Sequence, residues 1–471
     1  MAEIAAVHPT TNVVTSGPPF RAITRLALPT LVAMLTQSAV NEIDLVFFGM
    51  LPNAEGSNAQ AALMPSLIVL WAFGGSLSAV SVGTQSMTAR RFAEGDNKAA
   101  GAVVFNAFVF TLLGGTLFSL AAFFLIPLLV GSIISSPDVR AAATSYLGFR
   151  VWGVLSMACT AAFKAFFDGI GKTHVHLVSA VVMNVVNVAL CILLIFGNLG
   201  FPRMGMAGAG LAGVVSTYLG LAVMIGYALK PEYRRMFQPF DRRKFDPQIL
   251  KNLLKLSIPG GIATIAVMTG FALFAWIAGR LDTLHPTPNG EAVNAAATSN
   301  IVGVLKLTFT ACLAFGTATA TLVSQSLGEK DPAKASRFGW ASIRLGLVIF
   351  GVVGIIEALA AGPILQLIAK ESIPVQQTAY GPLIIMGLMT PVIAVGMILT
   401  QALFGAGDTL FVMIVELALH FICLVPLAYL LGVTFDLGIV GIFGAAATYI
   451  FGLAIAMVLR FRSGVWKVIK V

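Results

Sequence analysis

Arg25-Leu-Ala-Leu-Pro29 opens the first long apolar run of the chain, and Lys255-Leu-Ser-Ile-Pro259 opens another one 230 residues later. Three further pairs follow in the same order. Glu94-Gly-Asp96 recurs as Glu329-Lys-Asp331, Gly169-Ile-Gly-Lys-Thr173 as Gly405-Ala-Gly-Asp-Thr409, and Gly205-Met-Ala-Gly208 as Gly438-Ile-Val-Gly441, at offsets of 235, 236 and 233. Four matches in register describe a duplicated unit, half the chain long, whose apolar stretches are punctuated by the same short polar marks.

The stretches between the marks identify the solvent. Of 471 residues, 58% are hydrophobic and 10% charged, against about 25% charged in a soluble domain, and the mean hydropathy is +0.92. A water-soluble chain of this size cannot hide so much apolar surface. Composition therefore excludes a soluble enzyme, a nucleic-acid-binding domain and a disordered protein; the lipid bilayer is the partner it implies. Twelve candidate spans lie near 25–50, 61–86, 101–127, 141–166, 175–197, 206–229, 255–279, 293–325, 338–361, 377–404, 410–432 and 438–460. They are too long and too weakly alternating for strands, and only helices or closed barrels satisfy their backbone in lipid. The expected fold is an all-α membrane protein, with twelve transmembrane helices in two pseudo-symmetric six-helix bundles. Because the repeat spans an even number of crossings, both halves share one orientation. Their axis is then expected along the membrane normal, with a cavity between them. The expected division is a cytoplasmic tail over 1–24, a first lobe over 25–235, a cytoplasmic linker over 236–254 and a second lobe with a short tail over 255–471.

The net charge of +9 marks cytoplasmic loops and calls for no nucleic-acid partner. With both termini inside, about 22 of the 29 basic residues fall on the cytoplasmic side, among them Arg90, Arg91, Lys98, Arg242, Arg243, Lys330 and Lys334. Arg140, Arg150, Arg203, Arg280 and Lys370 fall outside, and Lys164 and Lys306 fall within spans. The polar start of the chain lacks a cleavable signal pattern. The expected location is the cell inner (plasma) membrane, multi-pass, and the expected state a monomer. Cys159, Cys191, Cys312 and Cys423 form no CxxC pair, so neither a metal nor a disulfide framework is indicated. No HExxH or Walker A sequence is present, so ATP is not expected to drive the protein, and no cofactor is expected. His174 and His176 read as solvated loop residues.

The ordered marks resemble the multidrug and toxic compound extrusion (MATE) family, within the larger group that includes lipid-linked oligosaccharide flippases. The resemblance runs from Arg25 to Arg460. It rests on Leu26-Ala-Leu-Pro29, Asp44 near the outer end of the first span, and Phe167-Asp-Gly-Ile-Gly-Lys-Thr173 with Phe404-Gly-Ala-Gly-Asp-Thr409. Leu194-Ile-Phe-Gly197, followed by Gly200-Phe-Pro202 and Gly205, adds to it. The resemblance implies two six-helix lobes that rock between outward-open and inward-open states, exporting substrates against an inward flow of protons or sodium ions. Members of the DinF-like and archaeal type hold a polar pocket in the first lobe. Its first-span Gln and Asp match Gln37 and Asp44, and its fifth-span Asn matches Asn187. Cys191 stands where that type has a second Asp, and Lys164 lies near a fourth-span position that is often small and polar. The second-lobe acids of NorM-type members have no counterpart around Met268 and Ile393, which centres ion coupling on Asp44.

The residues themselves allow two readings of most candidates. Intramembrane acids are costly and line cavities or proton paths, which makes Asp44 a coupling carboxyl; the alternative is an interfacial Asp at a span end. Glu42, about 200° away around the helix, faces another surface. Lys164 either snorkels to the cytoplasmic end or lies within water-mediated reach of Asp44 and stabilises its ionised form. Lys306 is deeper, with a structural ion pair as its alternative role. Glu416 and His420, four apart on one helical face, form either a second relay or a structural pair. Glu357 stands alone in the ninth span. Trp71, Tyr146, Trp152, Phe271, Phe274 and Trp276 are candidate cavity residues. The 33 Phe and 17 Met offer soft surfaces for varied small molecules.

The function expected is a secondary antiporter exporting amphipathic or cationic small molecules, with protons favoured over sodium ions. A flippase for a lipid-linked glycan precursor is the alternative, and would need a strongly cationic cavity. A membrane-embedded enzyme is the third reading, disfavoured by the missing motifs.

Overall fold

The computed structural model describes residues 17–134, 136–286, 292–369 and 372–471; residues 1–16 of the expected tail, and Lys370, lie outside them. In chain order the helices are α1 (Pro19–Gly49), α2 (Asn53–Ser78), α3 (Val80–Ala93), α4 (Asn97–Ile133), α5 (Pro137–Arg150), α6 (Gly153–Gly169), α7 (His174–Phe196), α8 (Met206–Leu229) and α9 (Pro231–Phe237). The second half contains α10 (Pro247–Leu284), α11 (Val293–Gly328), α12 (Pro332–Leu359), α13 (Ala361–Ile368), α14 (Ile373–Ala406), α15 (Thr409–Ala418), α16 (Val425–Tyr429) and α17 (Gly438–Ser463). Among the described residues, eleven helical segments are long and apolar enough to cross a membrane, and the pair α5–α6, bent by 51°, makes twelve. The fourth expected span is thus a broken one. The second runs on through α2 and α3, and the eleventh contains π-helical turns at Leu419–Leu424 and Leu430–Thr434.

The first pair of marks lies inside α1 and α10; the other three are turns or helix ends, and their chemistry explains why they recur. Asp96 caps α4 by accepting the Ala99 N–H at 2.8 Å, and Asp331 caps α12 by accepting the Lys334 N–H at 2.8 Å. Each cap follows a residue with positive φ, Gly95 or Lys330. Gly171 and Gly407 take the left-handed conformation at φ +74° and +86° just past the ends of α6 and α14, which only glycine adopts without strain. Gly205, just before α8, and Gly438, the first residue of α17, also have positive φ, +54° and +58°. His174 and His176 belong to the first turn of α7, not to a loop, and the Nδ1 atom of His176 is buried.

Packing follows amphipathic faces turned to lipid. Along α12, Val348, Val352, Ile355, Ile356 and Leu359 are exposed on one side, while Phe338, Ser342, Gly346, Phe350, Gly354 and Glu357 are buried on the other. One apolar core lies in the second half of the chain and takes in Ala22, Ile23, Leu26 and Ala27 from the start of α1. Two others, around Phe48 and Tyr146 and around Phe163 and Phe237, belong to the first half. The segment after α8 folds back under α4: Asn106 donates to the Lys244 carbonyl at 2.9 Å and accepts the Asp246 N–H at 3.0 Å. Lys244 Nζ donates to the Phe237 carbonyl at 2.8 Å, and burial there pulls its ammonium below the ordinary lysine value.

At the end carrying the Arg/Lys-rich turns, the two bundles hold each other through a reciprocal clasp. From α3, Ser86 donates to the Gly405 carbonyl at 2.8 Å and Arg90 Nη2 to the Ala406 carbonyl at 2.6 Å. From α11, Thr321 donates to the Asp168 carbonyl at 3.0 Å and Gln325 to the Gly169 carbonyl at 2.8 Å. These acceptors are the last carbonyls of α14 and α6, which have no partner within their own helix. Arg90 Nη1 also binds the Ile469 carbonyl at 2.6 Å, drawing the chain's end into the clasp. Replacing Arg90 by Ala removes two charge-assisted bonds, worth about 1.5–3 kcal/mol each. The expected outcome is faster hydrogen exchange across 317–328 in the intact protein, read by mass spectrometry. Exchange unchanged from wild type would mean the clasp does not hold this end shut.

Candidate functional site

Five helices of the first bundle converge on one small polar cavity. Its residues sit where helical spacing puts them on one face: Gln37, Val40 and Asp44 on α1; Tyr146 and Arg150 on α5; Met183, Asn184 and Asn187 on α7; Gly213, Ser216 and Thr217 on α8; Leu63 and Leu67 on α2. The cavity measures about 40 Å³. That holds an ion or a few waters, and no drug-sized molecule.

A hydrogen-bonded chain crosses it. The Cys191 thiol lies 3.6 Å from Asp44 Oδ1 and 3.9 Å from Asn187 Oδ1. Asn187 Nδ2 donates to Ser216 Oγ at 3.4 Å, and the Ser216 hydroxyl donates to the Gly213 carbonyl at 3.0 Å. The structure thus brings Gln37, Asp44, Asn187 and Cys191 to one place. Asn184, also buried, has both amide atoms without a side-chain or backbone partner among the described residues.

The cation of this cavity is Arg150, not Lys164. Lys164 pairs within its own helix with Asp168 at 2.7 Å, and Asp168 is fully buried. The i, i+4 spacing lets the lysine satisfy that acid, so its expected reach towards Asp44 is not realised. Arg150, read above as an outer-loop charge, ends α5 at the break in the fourth span. The signal that would have found it is an arginine within a span, which lipid tolerates only inside a bundle or cavity. Tyr146, named above as a candidate cavity residue, lines this cavity; Asn184 and Ser216 were missed because nothing local distinguishes them from packing residues.

The other candidates lie elsewhere. Lys306 meets Glu42 across the bundles at 3.2 Å, both well exposed. Glu357 accepts the hydroxyls of Thr308 and Thr390 at 2.5 and 2.6 Å, tying α12 to α11 and α14. Glu416 accepts the Tyr449 hydroxyl at 3.1 Å, and His420 Nδ1 donates to the Glu416 carbonyl at 2.8 Å. His420 is packed against Gly270, where a Cβ would sit on its ring. Glu416 and Tyr449 border a second, mostly apolar cavity of about 300 Å³ in the second bundle, beside Met268, Phe271, Phe274 and Met397. That volume is in the range of small-molecule sites. Met268 and Ile393 lie on its wall, and the carboxylate on that wall, Glu416, comes from α15. Trp71, Trp152 and Trp276 are exposed and line neither cavity.

Two bundles built on one repeat, with a polar cavity in one and a mostly apolar cavity in the other, define a membrane transporter. The MatE family model matches residues 29–193 and 259–430, one copy in each half. The chain belongs to the MatE family. It is 26% identical to a protein of Thermotoga maritima named "Probable multidrug resistance protein NorM", over 94% of this chain and 92% of that one. It is 28% identical to a protein of the same name from Rhizobium meliloti, over 93% and 92%. Among solved structures, an outward-facing multidrug resistance MATE family transporter superposes with a TM-score of 0.83 at 20% identity, covering 96% of both chains. A MATE in the straight conformation gives 0.84 at 20% identity over 97% of both.

The two hydroxyls on Glu357 make it a structural clamp. Glu357→Ala is expected to destabilise the protein by about 2–4 kcal/mol while leaving transport by the folded fraction intact. Thermal unfolding in detergent, with transport normalised to folded protein, checks both parts; an unchanged melting temperature would remove the clamp.

Proposed function

We propose that this protein is a secondary efflux antiporter of the inner membrane, exporting amphipathic or cationic small molecules in exchange for protons or sodium ions, with Asp44 as the coupling carboxyl. The observation that carries the reading is the separation of two sites. A 40 Å³ polar cavity contains Asp44, and a 300 Å³ aromatic and Met-rich cavity has space for an organic molecule. The names of the relatives support multidrug substrates. The Gln37–Asp44–Asn187 set supports a place with the DinF-like and archaeal type.

Alternating access is a rocking of the lobe over 25–235 against the lobe over 255–471, hinged through the 236–254 linker. The clasp of Ser86, Arg90, Thr321 and Gln325 closes the end that the positive-inside bias makes cytoplasmic. The arrangement therefore corresponds to the outward-facing state, with both termini inside. The protein works as a monomer, without ATP, a cofactor or nucleic acid. A lipid-linked glycan flippase finds less support. Its cationic cavity would draw on Lys164 and Lys306, which are neutralised by Asp168 and Glu42. An enzyme finds none in the family, whose members are transporters.

In the coupling step, protonation or ion binding at Asp44 removes a charge from the cavity and lets α1 repack against α7. Only a difference in ion affinity between the two states can drive the change, about 1.4 kcal/mol for each tenfold. Gln37, Asn187 and the Cys191 thiol stay neutral and tune the site. Asp44→Asn keeps shape and removes titration. In proteoliposomes with separately imposed proton and sodium gradients, it is expected to lower gradient-driven export at least about tenfold while retaining the wild-type melting temperature. Wild-type export by the folded variant would move coupling to Glu416 and His420; wild-type export indifferent to both gradients would end the antiporter reading.

A further inference from the structure

Arg150 has no role in the reading above, yet the fold is built around it. Its backbone stands at the 51° break between α5 and α6, and its side chain lies over two glycines of neighbouring backbone. A Cβ on Gly213 would come 2.8 Å from its Nε, and one on Gly153 would come 2.5 Å from its Nη1. Two helices thus omit side chains where the guanidinium passes. It ends on the wall of the 40 Å³ cavity that holds Asp44, within electrostatic reach of that carboxylate.

We infer that Arg150 selects the coupling ion: its fixed positive charge on the wall of the cavity that holds Asp44 lets the cavity exchange a proton and exclude sodium. The inference deepens the proposed function and rests on Asp44 being the coupling carboxyl. Three features of the cavity carry it. A guanidinium keeps its proton at any working pH, so a metal cation entering the cavity meets a permanent like charge at close quarters. A hard cation also needs several oxygen lone pairs at once, and here donors compete for them. The Cys191 thiol is turned to Asp44 Oδ1, where an acid would have brought oxygens, and the Arg150 guanidinium on the same wall has no lone pair to offer a cation. A proton needs one carboxylate oxygen and no shell. The buried, unpartnered amide of Asn184 on the same wall is placed to hold water through which that proton passes.

The ionisable groups facing the cavity are few enough to make the assignment sharp. Alpha-helix α1 brings Asp44, α5 brings Tyr146 and Arg150, and α7 brings Cys191. From α8 come Ser216 and Thr217, and from α2 come Leu63 and Leu67, none of which titrates. Glu55 and Arg203 neutralise each other at 2.6 Å outside it.

The test measures binding of radioactive sodium to purified protein, together with export of a fluorescent lipophilic cation from proteoliposomes under a sodium or a proton gradient. Wild-type protein and Arg150→Lys are expected to respond to protons alone and to bind no saturable sodium. Arg150→Gln and Arg150→Met lose the charge and are expected to gain saturable sodium binding, tighter than wild type by about ten- to hundredfold. Adding Asp44→Asn should abolish it again. Saturable sodium binding by wild type that Asp44→Asn removes overturns the inference without recourse to any arginine variant. So does folded Arg150→Gln or Arg150→Met that stays blind to sodium. Proton-driven export that survives Asp44→Asn is a different failure, that of the coupling reading itself.

Discussion

Every charge and every backbone polar group inside this protein must be answered by the protein, because lipid answers none. The internal pairs follow from that constraint. Lys164 closes on Asp168 one turn along the same helix, Arg460 forks onto Asp408 at 2.7 and 3.1 Å, and Glu357 takes two threonine hydroxyls. These groups are sealed by close neighbours and hold helices in place. Asp44 differs in kind. Its polar neighbours are a thiol at 3.6 Å and a cavity it shares with Arg150, so its ionisation state can change without breaking a tight pair.

The same constraint explains how the bundles meet. A helix that ends between two bundles exposes carbonyls with no partner of their own. Here each bundle supplies the missing donors to the other, α3 to the end of α14 and α11 to the end of α6. The donors stand at matching positions of the repeat, Ser86 with Thr321 and Arg90 with Gln325. Duplication thus produces a closure in which both halves contribute alike. Such bonds are individually modest and exchangeable with water, which suits the opening that the proposed rocking requires.

The halves are not equal in chemistry. The first bundle concentrates polar groups in a cavity too small for an organic molecule, while the second encloses a larger space walled by Met and Phe with one carboxylate. Glu416 is fixed there by Tyr449, and His420 lies over the bare backbone of Gly270 on a π-helical turn. The cores show a further asymmetry, since the start of α1 packs into the second bundle while its outer half carries Asp44 into the first. One helix therefore touches both the closed end and the polar cavity.

The number of spans, their helical character and the duplication were legible in the chain because each is written locally. Lipid demands long apolar runs, and a turn with positive φ favours Gly, as at Gly95, Gly171 and Gly407. Gln37, Asp44, Asn187 and Cys191 were legible as a group through a family pattern, and their helical spacing agrees with a shared face. Tertiary structure alone decided the partners. Whether Lys164 turns to Asp168 or to Asp44, whether Arg150 sits in a loop or on a cavity wall, and whether Glu416 reaches the wall of Met268 all depend on helix rotation and on the break between α5 and α6. Neither is encoded in apolar periodicity, since every helix in lipid is apolar on the side away from its neighbours as well as on the side that packs. Contacts between side chains over a hundred residues apart fix those rotations, and they exist only once the bundles have formed.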